Sequence, residues 1–130
     1  MPRVRTTTAF YTLLLLRSFP DEIFIFGDNI ERHGYGGQAA IRGEPNARGV
    51  VTKRAPSDEP DAFMSDCSDD LFHVLADLEF LVGLSFSRNL VLPVLDTGHT
   101  SLGCGLADLP NRAPKLYEIL DLTLATLITW

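Results

Sequence analysis

"IFIFGDNIERHGYGGQAAIRG", residues 23–43, decides the fold class, because it joins an apolar strand to a glycine-rich turn. Its first four residues are all apolar, which is typical of a strand covered on both faces within an α/β sheet. After the polar turn, the apolar residues Ala39, Ala40 and Ile41 predict a short helix over Gly36–Arg42. A buried strand that leads through glycines into a helix indicates an α/β domain.

Strands and helices alternate along the rest of the chain. The further predicted elements are an edge strand at 3–8, a short helix at 9–17, strands at 50–53 and 89–95, and two long helices. Asp69 or Asp70 can cap the first long helix and Asn111 the second. The leucines and valine expected to pack at helical spacing are Leu71, Leu75, Leu78 and Val82 in the first, and Leu116, Leu120, Leu124 and Leu127 in the second. This alternation predicts a layered α/β fold with an at least partly parallel sheet.

Composition limits the classes of protein that fit. With 130 residues, 45% hydrophobic and 22% charged, the chain is expected to form one globular domain over 1–130. The longest aliphatic run, Leu13–Leu16, is far shorter than the ~20 residues that cross a bilayer, and no signal peptide pattern precedes it. We therefore expect a cytoplasmic protein without a membrane partner. Cys67 and Cys104 make neither a disulfide framework nor a zinc site, so no metal and no cofactor is predicted.

A second glycine-rich segment, "LDTGHTSLGCGLADLP" at 95–110, also follows an apolar strand. Ligands of parallel α/β folds bind outside the carboxyl ends of the strands, so both glycine loops are expected at one edge of the sheet. Gly36 and Gly37 in the first loop let the backbone approach a ligand, and bare amides of either loop can bind phosphate. The alternative is that these glycines only form tight turns.

Polar side chains flank the first loop. Asn29 offers donors and an acceptor suited to a ribose hydroxyl or an amide. Asp28 can accept a hydrogen bond from a ribose hydroxyl or an adenine amine, or act as a general base; both can instead form an Asx-turn or a cap. Gln38 is expected to hydrogen-bond loop backbone. Thr52 and Lys53 place a hydroxyl and a cation at the end of a short strand, on the same edge.

Charge is unevenly distributed in this acidic chain. The net charge of −6 argues against binding of long nucleic acids. Residues 32–54 nevertheless contain five cations, Arg32, Arg42, Arg48, Lys53 and Arg54, and residues 58–79 are rich in carboxylates. The basic segment could receive a small anion, or it could pair with those carboxylates. Asp96 and His99 could form an acid–base pair, although no Ser or Cys nucleophile accompanies them.

The motifs "GDN…GYGGQAAIRG" and "VLPVLDTGHTSLGCGLADLP" resemble the strand, helix start and phosphate loop of macro domains. Over residues 22–127 the chain is similar to small macro-like proteins found mostly in bacteriophages. The resemblance implies a three-layer α/β/α fold with a mixed, partly parallel sheet and an ADP-ribose-like ligand. It also implies that Asn29 contacts the distal ribose, that Gly36, Gly37 and Gln38 line the pyrophosphate, and that 97–105 wrap its other side.

These observations lead to three functional hypotheses. The first is a module that binds an ADP-ribose-like or cyclic nucleotide and, in a phage, sequesters a host immune signal in the host cytoplasm. The second is an ADP-ribosyl or cyclic-nucleotide hydrolase with Asp28 or Asp96 as its base. The third is a protein-interaction module without a ligand. The residues predicted to bind the ligand are Gly27, Asp28, Asn29, Arg32, Gly36, Gly37, Gln38, Arg42, Thr52, Lys53, Asp96, Thr97, Gly98, Gly103 and Gly105. The nucleotide's identity and the oligomeric state stay open.

Overall fold

A four-stranded sheet forms the centre of the structure, a computed structural model that describes residues 2–129. Its strands are β1 (Val4–Thr7), β2 (Glu22–Asn29), β3 (Ala47–Lys53) and β4 (Asn89–Pro93), in the spatial order β1-β4-β2-β3. All three strand pairs are parallel, which confirms an α/β fold with a parallel sheet.

The expected mixture of strand directions is wrong for this sheet. Among the described residues, antiparallel pairing is limited to two isolated bridges, Lys53 with Phe63 and Val94 with Thr100. The physical reason is that a helix lies between each pair of consecutive strands. A crossover of this kind returns the chain to the starting edge, so the next strand runs in the same direction.

The four helices predicted from the sequence lie close to their expected positions, whereas the short helices at 109–112 and 60–62 were not predicted. They are α1 (Leu13–Ser18), α2 (Ser68–Ser85), α3 (Leu109–Arg112) and α4 (Pro114–Ile128), together with 3₁₀ helices at Gly37–Ile41 and Pro60–Ala62. The caps differ from expectation: Cys67 precedes α2 and Ala113 precedes α4. Asp70 is unavailable as a cap because its carboxylate accepts hydrogen bonds from Arg54 and from the Ser65 amide.

Residues of β2 alternate between two apolar clusters on opposite faces of the sheet. Ile23 and Ile25 join the cluster that includes α2 and α4, whereas Phe24 and Phe26 join the one that includes α1 and the first 3₁₀ helix. The expected buried face of α4 is confirmed. In α2 the buried face is rotated to Val74, Leu78 and Leu81, and Leu75 is 45% exposed.

Parallel strand direction places the carboxyl ends of β2, β3 and β4 at one edge, where the two glycine-rich loops begin. In the part of the chain that the structure describes, every helix is too short or too polar to cross a membrane.

Candidate functional site

A cavity of about 900 Å³ opens at the carboxyl edge of the sheet. The ends of the strands and both glycine loops line it. Of the residues predicted to bind a ligand, those that line the cavity are Gly27, Asp28, Asn29, Gly36, Gly37, Gln38, Thr52, Lys53, Asp96, Gly103 and Gly105. Arg32, Arg42, Thr97 and Gly98 are not among its lining residues. The structure therefore brings most of the predicted site together in one place.

Gln38 connects the two glycine loops. Its Oε1 accepts a hydrogen bond from the Gly27 amide at 2.9 Å, and its Nε2 donates to Ser101 Oγ at 2.9 Å. The expectation that Gln38 bonds to loop backbone is confirmed, and the same side chain also bonds to the second loop. Both ends of the amide group are thus used to hold the cavity's walls together.

Several loop amides at the cavity have no partner within residues 2–129. The backbone N–H groups of Gly36, Gly103, Gly105, Leu106 and Ala107 donate no hydrogen bond there. Gly103 is required at its position, since its φ is +78° and a Cβ would lie 2.8 Å from the Cβ of Leu109. All five residues line the cavity, and free main-chain N–H groups of glycine-rich loops are suited to donate to anionic oxygens.

Asp28 is the centre of an internal ion-pair network. Its Oδ1 accepts from Arg42 Nη2 at 2.6 Å and from the Asn29 amide at 2.8 Å, and its Oδ2 lies 3.2 Å from Arg32 Nη1. The carboxylate side chain is only 3% exposed. A charge buried to this extent needs close counter-charges, and the two arginines supply them.

The two arginines are therefore committed to the protein. Arg32 also donates to both oxygens of Asp77, at 2.8 and 3.0 Å, and Arg42 donates to the Gly34 carbonyl at 2.7 Å. Burial acts to lower the pKa of Arg32, but Asp77 and Asp28 raise it above its ordinary value. Arg32 pairs with Asp77, one of the carboxylates at 58–79 that the alternative interpretation expected as partners, whereas Arg42 pairs with Asp28, which lies outside that stretch.

Asn29 closes the first turn of the loop. Its Nδ2 donates to the His33 carbonyl at 2.7 Å, and its Oδ1 accepts from the His33 amide at 3.4 Å. This is the turn role that the sequence left open beside ribose binding. Asn29 lines the cavity, but its amide group is occupied in forming the loop.

Within residues 2–129, Lys53 is the only Lys or Arg residue that lines the cavity. The side chain is 10% exposed, and its Nζ lies 3.8 Å from Asp58 Oδ1 and 4.6 Å from the centre of the Phe63 ring. Neither distance is that of a hydrogen bond. The ammonium group therefore has donors available for a ligand.

Asp96 and His99 do not act as a pair. Asp96 is exposed and lines the cavity, whereas the His99 Nδ1 lies 2.7 Å from Asp121 Oδ2 of α4. Asp121 also accepts a hydrogen bond from the Thr100 amide, so it anchors the second loop to α4.

Sequence reasoning missed the aromatic rim of the cavity. Phe10 is 94% exposed and Tyr35 is 70% exposed, and both line the cavity. Tyr11, beside Phe10, is buried instead, and its hydroxyl donates to the Ile25 carbonyl at 2.7 Å. The available signal was an aromatic residue in a predicted loop for Tyr35, because a ring that cannot join the core has an open face for a ligand. Phe10 gave no such signal, because the helix predicted over 9–17 included it, whereas the structure begins this helix at Leu13.

Fold and site together define an α/β protein with a parallel sheet and a polar cavity at the carboxyl ends of its strands. The chain belongs to a family described as "Family of unknown function (DUF7831)", which matches residues 6–123. Neither a curated protein nor a solved structure matches it.

Proposed function

We propose that this protein binds a small nucleotide, of the ADP-ribose or cyclic-nucleotide kind, in the cavity at the carboxyl edge of the sheet. The observation that carries the proposal is the convergence on one cavity of loop amides without partners, the Lys53 ammonium group and two exposed aromatic rings. Phosphate oxygens would accept from the amides and from Lys53, and a base would stack on an aromatic ring.

Size and shape support a ligand of this class. A volume of about 900 Å³ lies within the usual range of small-molecule sites, ~300–1,000 Å³.

The two apolar clusters on opposite faces of the sheet support the finer part of the fold hypothesis, a macro-domain-like α/β/α arrangement. In a phage, such a protein would hold a nucleotide signal of the host's immunity without transforming it.

Isothermal titration with ADP-ribose, cyclic ADP-ribose isomers and cyclic dinucleotides tests this proposal. We expect one of these ligands to bind, and Tyr35→Ala or Phe10→Ala to weaken binding by about 1–3 kcal/mol if that ring stacks on the base. Phe72→Ala is the matched control, because Phe72 is 71% exposed on α2 and does not line the cavity. A panel without any binding at high micromolar concentration would contradict the proposal.

Hydrolysis of an ADP-ribosyl or cyclic-nucleotide bond is the second candidate function, and Asp96 is the residue that favours it. Unlike Asp28, Asp96 forms no ion pair or hydrogen bond with other described residues, so its carboxylate could accept a proton from water. Incubation of ADP-ribosylated protein or a cyclic nucleotide, followed by chromatography, would then show products that disappear in Asp96→Asn. Unchanged substrate after long incubation would count against hydrolysis.

For the third hypothesis, a protein-interaction module, strand ends filled by side chains would be the supporting feature, whereas the cavity here is open.

A further inference from the structure

We propose that Lys53 and Asp58 form an exchangeable ion pair, in which a phosphate group of the ligand takes the place of Asp58 beside the Lys53 ammonium group. This inference rests on the proposed function, because the phosphate belongs to a ligand in the same cavity. It assigns the phosphate position within the site and names the residue that competes for that position.

The lysine is held in place. It is the last residue of β3, its side chain is nine-tenths buried, and the Phe63 ring lies 4.6 Å from its ammonium group. A lysine at the end of a strand, packed against a ring, loses little further freedom when it binds a ligand. Its charge is therefore a fixed feature of the cavity.

The aspartate is not held in place. Its side chain is 95% exposed, and Lys53 is its one ion-pair partner among the described residues, at 3.8 Å. Because the Asp58 carboxylate is exposed to water and lies beyond hydrogen-bond distance, this ion pair contributes little. A phosphate that approaches Lys53 can thus displace Asp58 at small cost and gain charge-assisted hydrogen bonds that the aspartate does not make.

Competition is required by the charges in the cavity. Within residues 2–129, three carboxylates line it, those of Asp28, Asp58 and Asp96, and Arg32 and Arg42 already neutralise the first. Lys53 is the remaining permanent cation among the described lining residues. An anionic ligand therefore depends on Lys53, and an Asp58 that stayed beside it would repel the ligand's phosphate.

The test compares two variants with the same change in net charge. Asp58→Asn removes the competing carboxylate, and Asp61→Asn is the control, because Asp61 is an exposed residue of the following 3₁₀ helix and does not line the cavity. Sodium pyrophosphate and the nucleotide panel are titrated into each protein by calorimetry. Acetylation of Lys53 by acetic anhydride, measured by mass spectrometry with and without pyrophosphate, locates the bound anion independently of affinity.

We expect Asp58→Asn to tighten pyrophosphate binding by about 3- to 10-fold relative to Asp61→Asn. We also expect pyrophosphate to protect Lys53 from acetylation, and Lys53→Met to weaken binding by at least about 10-fold. Since neither Asp variant touches the core, the result stands even if Lys53→Met does not fold.

The outcomes separate this inference from the proposed function. If a nucleotide binds but Asp58→Asn and Asp61→Asn behave alike, or Lys53 is not protected, the ion-pair exchange is wrong and nucleotide binding stands. If Asp58→Asn tightens pyrophosphate and Lys53 is protected while no nucleotide binds, the exchange is upheld and nucleotide binding is wrong. If neither pyrophosphate nor any nucleotide binds to wild type or variant, both are wrong.

Discussion

Replacement of Gly49 by alanine tests whether the Asp28 network is built as described. Gly49 lies in β3 beside β2, and a Cβ added there would meet the Cβ of Asp28 at 2.6 Å, closer than real Cβ contacts allow. The side chain of Asp28 would have to move, and with it the bonds to Arg42, Asn29 and Arg32. Overpacking typically costs about 1–3 kcal/mol, and weakening of a buried ion pair adds to this cost. We expect Gly49→Ala to lower the free energy of unfolding by about 2–4 kcal/mol.

Gly83→Ala is the matched control for this substitution. Gly83 lies in α2, and a Cβ there would meet nothing within 4 Å. Alanine favours a helix over glycine by about 0.5–1 kcal/mol, so this variant should be more stable than wild type. Urea denaturation monitored by circular dichroism measures both. Equal effects, or a loss below about 0.5 kcal/mol for Gly49→Ala, would mean that Asp28 does not lie over β3.

Three further predictions concern single side chains. Burial acts to raise the pKa of Asp70, but hydrogen bonds from Arg54 and a backbone amide hold it below its ordinary value. The ionised carboxylate therefore stabilises the fold fully above the pKa of the unfolded state, and this effect is lost as pH falls through the pKa of the folded state. In urea denaturation, the difference in the free energy of unfolding between wild type and Asp70→Asn should be about 1–3 kcal/mol at neutral pH and should shrink below about pH 4. A difference that stays constant with pH would contradict this prediction. Burial raises the pKa of the Cys104 thiol in the cavity, so iodoacetamide should alkylate Cys104 at least about tenfold more slowly than the exposed Cys67. Peptide mass spectrometry measures both rates, and equal rates would be inconsistent with this burial. Tyr11→Phe removes a buried hydrogen bond to a β2 carbonyl and should cost about 0.5–1.5 kcal/mol in urea denaturation, with no loss arguing against that bond.

The sequence was sufficient for the order of the four strands and the four predicted helices, because periodicity and glycine position are local signals. The apolar run of β2 and the leucine face of α4 were both predicted, and both are buried. The cap of α2 was not, since Asp70 is taken by Arg54 from another part of the chain. A long-range partner of this kind leaves no trace in the spacing of neighbouring residues.

The candidate site was predicted in position more than in chemistry. Strand direction brought the two glycine loops to one edge, as the rule for parallel sheets requires. Which polar groups would stay available was predictable only in part. The bond of Gln38 to loop backbone was expected, but its bond to Ser101 and the bond of Asn29 to His33 depend on partners that only the folded loops supply. The aromatic rim was missed for a related reason: exposure of Phe10 and Tyr35 depends on the packing around them.

The basic segment shows how one charge pattern serves two purposes. Arg32 and Arg42 have planar, forked donors that fit carboxylates, and they neutralise Asp28 beneath the first loop. Lys53 has a compact charge at the end of a strand and faces the cavity without a hydrogen-bonded partner among the described residues. If the arginines were removed, the buried Asp28 would carry an uncompensated charge and the loop would lose its support. If Lys53 were removed, Asp28 would keep both of its counter-charges, so we expect the first loop to remain and the proposed binding of an anion to weaken. The segment therefore combines a structural half and a proposed binding half. When unfolding and ligand binding are measured on the same proteins, we expect variants of Arg42 to lower the free energy of unfolding and variants of Lys53 to weaken ligand binding.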